Sequence, residues 1–313
     1  MKALVFGSLN IDYVYEVEHF VQPGETLSSE NLRVYCGGKG LNQSIALSRS
    51  GVETWHAGAV GIRDGEILTN YLRDADVHVD LIMEKEVSSG HAIIQKTPDG
   101  ENSIILFGGA NLMITEKEAD FVLSHFDEND YLVLQNEINQ IPYIIEKAHE
   151  KGMKIVLNPS PMNACIFELP LSYVDYLILN EIEGAAMTGH EETDSDAVLN
   201  CLAEMLPDTH IILTLGKKGS VYGYKDQRFR QRCYPVNAVD TTAAGDTFTG
   251  FFLGSIMQGK GIREALDTAA RASAIAVSRN GAGTSIPMLC ELKNSDILFG
   301  NRMENMDINE LKI

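Results

Sequence analysis

Short apolar runs alternate with longer amphipathic segments along most of this chain. The apolar runs include KALVFGS, DYLVLQN, MKIVLNPS, VDYLILN and HIILTLG, and helical patterns cover residues 139–151 and 262–279. This alternation is typical of βαβ units, because a parallel sheet is covered by helices on both faces and its strands are therefore apolar throughout. The pattern predicts an α/β fold with a mostly parallel central sheet flanked by helices. Such folds bind ligands at the carboxyl ends of their strands.

Two segments interrupt this alternation. YVYEVEHF and ENLRVYC fall within residues 13–36, and GHAIIQKTPDGENSIILF falls within residues 90–108, with PDG as a turn signal between two strand-like runs. We predict that these segments form a small β-sheet lid over one end of the main sheet; the alternative is that they only extend the edge of that sheet. No linker or internal repeat divides the chain, so we predict a single domain over residues 1–313. A polar terminal helix is predicted from about residue 291.

The charge and the cysteines limit the classes of partner and compartment. A net charge of −19 and a pI near 4.8 argue against nucleic acids and membrane surfaces as partners, since both are anionic. No two of the five cysteines are spaced as a CxxC pair, and their odd number suits reduced thiols. The first apolar run is too short for a signal peptide, and no stretch approaches the length of a membrane span. We therefore predict a cytoplasmic protein.

Several common motifs are missing or misplaced. GSIMQGKG at residues 254–261 is a near miss for a Walker A loop, but it follows a predicted helix and ends in Gly261. No GxGxxG opens the first βα unit, and neither HExxH nor GxSxG occurs. The simplest grounds for predicting dinucleotide binding, zinc hydrolysis or serine hydrolysis are therefore absent.

TTAAGDTFTGFF at residues 241–252 predicts a glycine turn that opens a helix. The amides of residues 243–246 would be unpaired in the first helical turn, and together with the helix dipole they would form a cradle for an anion. Asp246 would repel a phosphate there, unless its task is to take a proton from a hydroxyl that attacks the phosphate. The alternative is that Asp246 only caps the helix.

CGGKGLNQSIALSRSG at residues 36–51 predicts a second turn of this kind. Gly37 and Gly38 allow a ligand to approach the backbone closely, Lys39 adds a positive charge, and Asn42 offers hydrogen-bond donors and an acceptor. The alternative is a glycine turn that simply opens a helix ending at Gly51.

GGKGxNQ, followed about two hundred residues later by DTTAAGDTF, strongly resembles two motifs of the ribokinase family of sugar kinases, also called the PfkB carbohydrate kinases. Motifs in the order of this family extend from FGSLNID near the start of the chain to AVSRNGAGTSIP near residue 287. The resemblance implies transfer of the γ-phosphoryl group of ATP, with Mg²⁺, to a primary hydroxyl of a small sugar. D-ribose, giving D-ribose 5-phosphate, is the preferred substrate of this interpretation.

The resemblance also implies roles for individual residues. Asp246 would be the general base, and Gly245, Ala244 and Ala243 would complete the anion hole. The sugar would be held, together with Asp246, by Asn10, Asp12, Gly37, Gly38, Lys39, Asn42 and Glu137. Asn180 and Glu183 of LNEIEG would organise water and Mg²⁺ around the phosphates, and Thr214, Gly216 and Gly219 of LTLGKKGS would form the nucleotide-binding turn. A monovalent cation, K⁺, would be held by Asp240, Thr242, Ala276, Arg279, Gly281 and Ser285.

From the residues alone, other interpretations of these positions stay open. NID also fits an Asx turn, and Glu137 also fits a solvated charge in a loop. LNEIEG also fits the start of a helix, LTLGKKGS fits a β-turn before a strand, and RNGAGTS fits a plain glycine loop. AVGIRDGEIL lacks the Gly-Asp-Asp that is usual in the family. Ala270 and Arg271 stand where relatives often place a His or Asn near the adenine.

The competing functions come from several classes. A family member acting on fructose, a nucleoside or a keto-deoxy sugar acid is the nearest alternative. A sugar or nucleotide sensor without turnover would be expected to lose the glycines or the carboxylate of the anion cradle, and this chain keeps Gly245 and Asp246. A nicotinamide dehydrogenase would need the missing glycine fingerprint. The predicted lid strands could also pair two copies of the chain into a homodimer, because they offer an exposed sheet edge.

Overall fold

The computed structural model describes residues 1–294, and the predicted polar helix after residue 291 lies largely outside them. The strands are β1 Ala3–Phe6, β2 Asn10–Glu16, β3 Asn31–Gly37, β4 Thr54–Gly61, β5 His78–Lys85, β6 Gly90–Lys96, β7 Asn102–Phe107, β8 Tyr131–Gln135, β9 Lys154–Asn158, β10 Tyr176–Asn180, β11 His210–Thr214, β12 Ser220–Tyr224 and β13 Gln227–Gln231. The α-helices are α1 Lys39–Arg49, α2 Glu66–Arg73, α3 Glu116–Leu123, α4 Ile141–Glu150, α5 Glu181–Thr188, α6 Ser195–Met205, α7 Ala244–Met257, α8 Ile262–Val277 and α9 Leu289–Asn294. The two helical patterns of the sequence correspond to α4 and α8, with ends that differ by one or two residues.

The main sheet has nine strands in the order β13-β12-β11-β10-β9-β8-β1-β4-β5. From β5 to β11 all neighbouring strands are parallel, and only β12 and β13 pair in the antiparallel direction. The predicted α/β fold with a mostly parallel sheet is therefore confirmed. Because the parallel strands all point the same way, β1, β8, β10 and β11 end at one edge of the sheet.

Both faces of the sheet are buried, which explains why its central strands carry apolar residues on both sides. In β1, Leu4 and Phe6 contribute to the core on one face, and Ala3 and Val5 contribute to the core on the other. Helices α3, α4 and α6 cover the first face, and α1, α7 and α8 cover the second. Helices on both sides keep the strands out of water, as expected of a parallel sheet.

The two segments that interrupt the alternation form a separate sheet of four strands, in the order β3-β2-β6-β7. The predicted small sheet is confirmed, and the alternative that these segments extend the edge of the main sheet is wrong. Its first strand begins at Asn10, three residues before the predicted segment, because Asn10 already pairs with Gly37 of β3 and Gly90 of β6. As a result, β2 carries both Asn10 and Asp12, the two residues expected to bind the sugar.

Two further sequence expectations can be compared with the structure. All five cysteines are free thiols, as their spacing indicated. Within residues 1–294, no helix combines the length and the apolar character needed to cross a bilayer.

Helices α1 and α7 pack against each other with a matching four-residue spacing. Gly250 lies over Ala46 and Gly254 lies over Ser50, so that a Cβ atom at either glycine would come within 2.3 Å of Ala46 Cβ or 1.9 Å of Ser50 Oγ. The partner numbers rise together along both helices, so the helices run parallel and begin at the same end. One turn earlier, the same spacing sets Asp246 beside Asn42, which are joined by a hydrogen bond of 3.1 Å.

We expect Gly250→Ala to destabilise the protein, because the added methyl group would also meet the backbone of α1 at 2.7 Å from the carbonyl carbon of Ala46. Overpacking of this kind costs about 1–3 kcal/mol, which urea denaturation would measure. Gly261→Ala is the matched control, since a Cβ atom there meets no atom within 4 Å. Equal stability of the Gly250→Ala variant and the parent protein would contradict this description of the helix contact.

Candidate active site

The amino ends of α1 and α7 lie together beyond the carboxyl edge of the main sheet, and Asp246 lies where they meet. Its side chain is buried, with 8% of its surface exposed. Asn42 Nδ2 donates to Asp246 Oδ2 at 3.1 Å, and Gln43 Nε2 donates to Asp246 Oδ1 at 3.0 Å. The carboxylate is thus held by two amide groups of α1, and only its remaining lone pairs are available to another partner.

The turn before α7 leaves backbone amides directed away from the helix. Ala243 adopts the left-handed conformation, with φ 59°, which is uncommon for a residue with a Cβ. The amide of Ala244 is used within the turn, since it donates to Thr241 O at 3.2 Å. Within residues 1–294, the amides of Ala243, Gly245 and Asp246 donate to no protein atom. A Cβ atom at Gly245 would meet nothing within 4 Å, so the cradle opens into free space.

A cavity of about 550 Å³ adjoins this cradle. Its lining includes Ala244 and Gly245 from the start of α7 and Thr214, Gly216 and Gly219 from the end of β11 and the turn after it. The structure therefore brings the predicted anion hole and the predicted nucleotide turn to one cavity. Gly219 also has a structural reason to be glycine, because its φ is 96° and a Cβ atom would lie 1.9 Å from Gln231 O.

Ala270 and Arg271, two of the positions that depart from the family pattern, lie in or beside the wall of this cavity. Ala270 lines the cavity directly. Arg271 instead donates from Nε to Asp267 Oδ2 at 2.9 Å, and its guanidinium lies 5.0 Å from the ring centroid of Tyr234, which also lines the cavity. Arg271 thus supports an aromatic side chain of the wall.

Lys39, the first residue of α1, lies among carboxylates. Burial alone would lower the pKa of its ammonium group, but Asp246, Glu137 and Glu183 raise it above its usual value. Glu137 accepts hydrogen bonds from the amide of Lys39 at 3.0 Å and from the hydroxyl of Ser8, both at Oε2. The positive charge of Lys39 is therefore fixed between the end of β8, the start of α5 and the start of α7.

Asn10 and Asp12 reach the same region from the small sheet. Asn10 is buried, and its Oδ1 accepts a hydrogen bond of 2.8 Å from Asn111 Nδ2. Burial raises the pKa of Asp12 to about 7, and repulsion by Glu137 adds to this effect. The carboxylate of Asp12 occupies the space in front of Gly37, where a Cβ atom would lie 2.0 Å from Asp12 Oδ2. Gly38 caps α1 with φ 97°, a conformation that favours glycine.

The N-x-x-E motif forms the start of α5. Asn180 Oδ1 accepts from the amide of Glu183 at 2.8 Å, and Glu183 Oε2 accepts from the amide of Asn180 at 3.0 Å. This is a reciprocal capping box, which explains the spacing of the two residues and holds the Glu183 carboxylate within the field of Lys39. Residues 1–294 contain no group of three His, Cys, Asp or Glu side chains arranged to hold a metal ion.

Asp240 connects the turn before α7 to the loop after α8. Its Oδ1 accepts from the amide and the hydroxyl of Thr242 at 2.9 and 2.6 Å, and its Oδ2 accepts from the amide of Gly281 at 3.1 Å. Although burial would raise the pKa of Asp240, these hydrogen bonds lower it overall. The carboxylate of this predicted cation site therefore favours its ionised form and is held by three hydrogen bonds.

The other predicted cation ligands have partners inside the protein. The carbonyl of Ala276 accepts from the amide of Arg279 at 3.0 Å, and Ser285 Oγ donates to Ala282 O at 2.7 Å. The side chain of Arg279 pairs with Glu291 at 2.5 Å. Asp240, Thr242 and Gly281 are thus joined directly, whereas Ala276 at the end of α8 and Arg279 and Ser285 in the loop after it offer backbone carbonyls.

The structure adds residues that sequence reasoning missed. Gln43 and Gln135 form a buried chain of amides that ends on Asp246, and Asn111 holds Asn10. Asp64 of IRDGE accepts from the amide and hydroxyl of Ser89, next to the start of β6. A polar residue at the end of an apolar strand was the available signal for Gln135. Asn111 lies in a short 3-10 helix, Gly109–Leu112, and Asp64 lies in a turn, and neither has a comparable signal in the sequence.

Known proteins that are similar to this chain in sequence and structure include several ribokinases. A ribokinase from Staphylococcus aureus is 35% identical over 302 residues, which cover 93% of this chain and 98% of that protein. The crystal structure of ribokinase from Cryptococcus neoformans in complex with ADP is 33% identical, with a TM-score of 0.82 and coverage of 94% and 99%. The structure of Arabidopsis thaliana ribokinase complexed with ribose and ATP has 28% identity, a TM-score of 0.85 and coverage of 94% and 97%.

The match to a family model covers nearly the whole described chain. The model for pfkB family carbohydrate kinase matches residues 1–289, which include both glycine turns, the small sheet and the cavity. The resemblance stated from the motifs is therefore confirmed, and the chain belongs to the pfkB family of carbohydrate kinases.

Proposed function

We propose that this ATP-dependent sugar kinase transfers the γ-phosphoryl group of ATP to a primary hydroxyl of D-ribose, giving D-ribose 5-phosphate. The observation that carries the proposal is the position of Asp246: a buried carboxylate beside three free backbone amides, between the cavity of about 550 Å³ and the polar residues of the small sheet. A sugar hydroxyl on one side and a terminal phosphate on the other would both reach it.

The residues of the chain divide the work between binding and proton transfer. Asn10, Asp12 and Glu137 offer acceptors to sugar hydroxyls, and Asp246 takes the proton from the attacking hydroxyl as its oxygen bonds to phosphorus. The free amides of the turn and the ammonium group of Lys39 stabilise the negative charge on the transferred group. Thr214, Gly216 and Gly219 line the part of the cavity that would hold the rest of the nucleotide.

Glu183 fits a role near Mg²⁺. Its carboxylate is buried, and a single carboxylate suffices because Mg²⁺ keeps several waters and binds phosphate oxygens. When bound, Mg²⁺ neutralises charge on the phosphates. Asn180 would act through the capping box, because its amide group and side chain fix the position of Glu183.

The charges around the sugar residues favour a neutral sugar over a sugar acid. Asp12, Glu137 and Asp246 carry or share negative charge in this region, and Lys39 is already surrounded by carboxylates. The carboxylate of a keto-deoxy sugar acid would be repelled there. Fructose and nucleosides stay the alternatives for the substrate, and turnover assays with ribose, fructose, deoxyribose, nucleosides and sugar acids would separate them. Persistence of the cradle and of Asp246 argues against a sensor without turnover.

Pairing of two copies through the small sheet stays a prediction. Its edge strand β7 is exposed along its whole length and includes Ile104, Ile105 and Phe107, which are 56%, 63% and 50% exposed. An apolar edge strand of this kind is a surface on which a second copy could add strands.

Asp246→Asn should lower kcat by about two to four orders of magnitude, because an amide cannot take the proton of the attacking hydroxyl. The variant should still bind ribose, since the other acceptors for sugar hydroxyls are unchanged. Coupled measurement of ADP release and calorimetric titration with ribose would test both statements. A variant with kcat within tenfold of the parent would exclude Asp246 as the base.

The pH dependence of ribose binding should follow Asp12. Its carboxyl group has a pKa of about 7 and accepts more strongly from a sugar hydroxyl when it is ionised, so affinity should weaken as pH falls from 8 to 6, by up to about tenfold. Calorimetric titration with ribose at both pH values gives the comparison. Asp12→Asn should bind more weakly at pH 8 and show no such dependence; a variant that keeps the full pH dependence would assign it to another group.

We also propose that K⁺ binds beside the anion cradle, held by Asp240, Thr242 and backbone carbonyls of Ala276, Arg279, Gly281 and Ser285. Support comes from the ionised carboxylate of Asp240, which bonds to both the turn before α7 and the loop after α8. Carbonyl and carboxylate oxygens suit a large hard cation. Turnover should be faster in K⁺ than in Na⁺ at equal ionic strength, and equal rates in the two salts would remove this site.

A further inference from the structure

Two buried glutamine side chains lie in line behind Asp246. We propose that Gln43, held in turn by Gln135, is a positioning residue that fixes the orientation of the Asp246 carboxylate for proton transfer. The proposal rests on the proposed role of Asp246 as the base. Gln43 would not touch the sugar or the nucleotide, and it would act only through Asp246.

Burial of these two amide groups would lower the stability of the fold if they had no hydrogen-bond partners. Gln43 is 0% exposed and Gln135 is 1% exposed. A buried amide without a partner is unfavourable, so such groups are normally paired. Gln135 Nε2 donates to Gln43 Oε1 at 2.7 Å, and Gln43 Nε2 donates to Asp246 Oδ1 at 3.0 Å. Gln135 Oε1 has no partner in the described part of the chain. The chain of amides therefore serves the end that carries Asp246.

The direction of donation in this chain is fixed by the carboxylate. An ionised carboxylate only accepts hydrogen bonds, so Gln43 must present its NH₂ group to Asp246. The carbonyl oxygen of Gln43 then points away, where the NH₂ group of Gln135 meets it. With this partner in place, Gln43 cannot flip its amide without losing one hydrogen bond and placing oxygen against oxygen at the other.

Two anchors are needed to fix a carboxylate. Asn42 holds Oδ2 and Gln43 holds Oδ1, so rotation of the carboxylate about its bond to Cβ would break at least one hydrogen bond. With Asn42 alone, the group could turn about a single contact. Because a base must lie within about 2.6–3.2 Å of the group that gives up the proton, such a rotation would separate it from the sugar hydroxyl.

The backbone is built to admit this second anchor. Gln135 is the last residue of β8, and its side chain lies against Gly7, which directly follows β1; a Cβ atom at Gly7 would come within 2.3 Å of Gln135 Oε1. Any side chain at Gly7 would displace Gln135. The hydrogen bonds through Gln43 and Gln135 thereby connect Asp246 to the central strand β8 as well as to α1.

The experiment compares Gln43→Met, Gln135→Met and the double variant, since methionine keeps the shape and removes the hydrogen bonds. Gln43→Met should lower kcat by about 10- to 100-fold, the scale expected when a reacting group is misplaced. The KM for ribose should stay within about twofold. Gln135→Met should have a smaller effect in the same direction. If Gln135 acts through Gln43, the double variant should be no slower than Gln43→Met alone.

Gln258→Met is the matched control. Gln258 Nε2 donates to Ser50 O at 2.8 Å and so joins the same two helices at their other ends, far from Asp246. This variant should keep the kcat and KM of the parent. Denaturation curves of all variants would show whether each is folded, and if Gln43→Met fails to fold, Gln135→Met alone decides the test.

The outcomes separate this inference from the proposed function. If Asp246→Asn keeps its turnover, the base role fails, and the inference fails with it. If Asp246→Asn is inactive while folded Gln43→Met keeps kcat within twofold of the parent, only the positioning role is overturned. Three further results would overturn it: losses of kcat that multiply in the double variant, a rise in KM without loss of kcat, or a loss of kcat in Gln258→Met equal to that in Gln43→Met. Loss of kcat confined to the Gln43 and Gln135 variants supports it.

Discussion

The close parallel packing of α1 on α7 is the contact on which the site depends. Residues four apart on one helix meet residues four apart on the other, and two of these meetings require Gly250 and Gly254. The third meeting is the hydrogen bond from Asn42 to Asp246. Because the helices are parallel, both amino ends open toward the same edge of the sheet, and their dipoles point at the same place. The site is a product of this helix pair.

Charge in this region is balanced among a few groups. Asp246, Glu137 and Glu183 all raise the pKa of Lys39, while Glu137 helps to raise that of Asp12 to about 7. One ammonium group thus offsets several carboxylates, and below pH 7 a proton on Asp12 removes part of the remaining negative charge. The amides at the start of α7 supply positive potential without adding an ion, so a phosphate would be attracted to them.

The sequence predicted the fold more fully than the site. Alternating apolar and amphipathic segments identified the parallel sheet, and the turn PDG with its flanking runs identified the hairpin of the small sheet. Local motifs also indicated the turns around Gly38 and Gly245. Glycine at position 38 follows from the backbone, which has a φ of 97° there, whereas a Cβ atom at Gly245 would meet nothing within 4 Å. The contact between Gln43 and Gln135 could not be predicted in this way, although the polar end of an apolar strand marked Gln135, because the two residues are 92 positions apart. The membrane and compartment arguments rest on composition, and the cytoplasmic location stays a prediction.

The small sheet gives sugar binding a structural consequence. Asn10 and Asp12 belong to β2 of that sheet, whereas Asp246 and the free amides belong to α7 of the main body. A sugar that touches both would connect the two sheets and displace water from between them. Less water strengthens the electrostatic interactions of the amides and of Lys39 with the transferred group. If the proposed function is correct, the residues that bind the sugar therefore also help to exclude water from the place where Asp246 takes its proton.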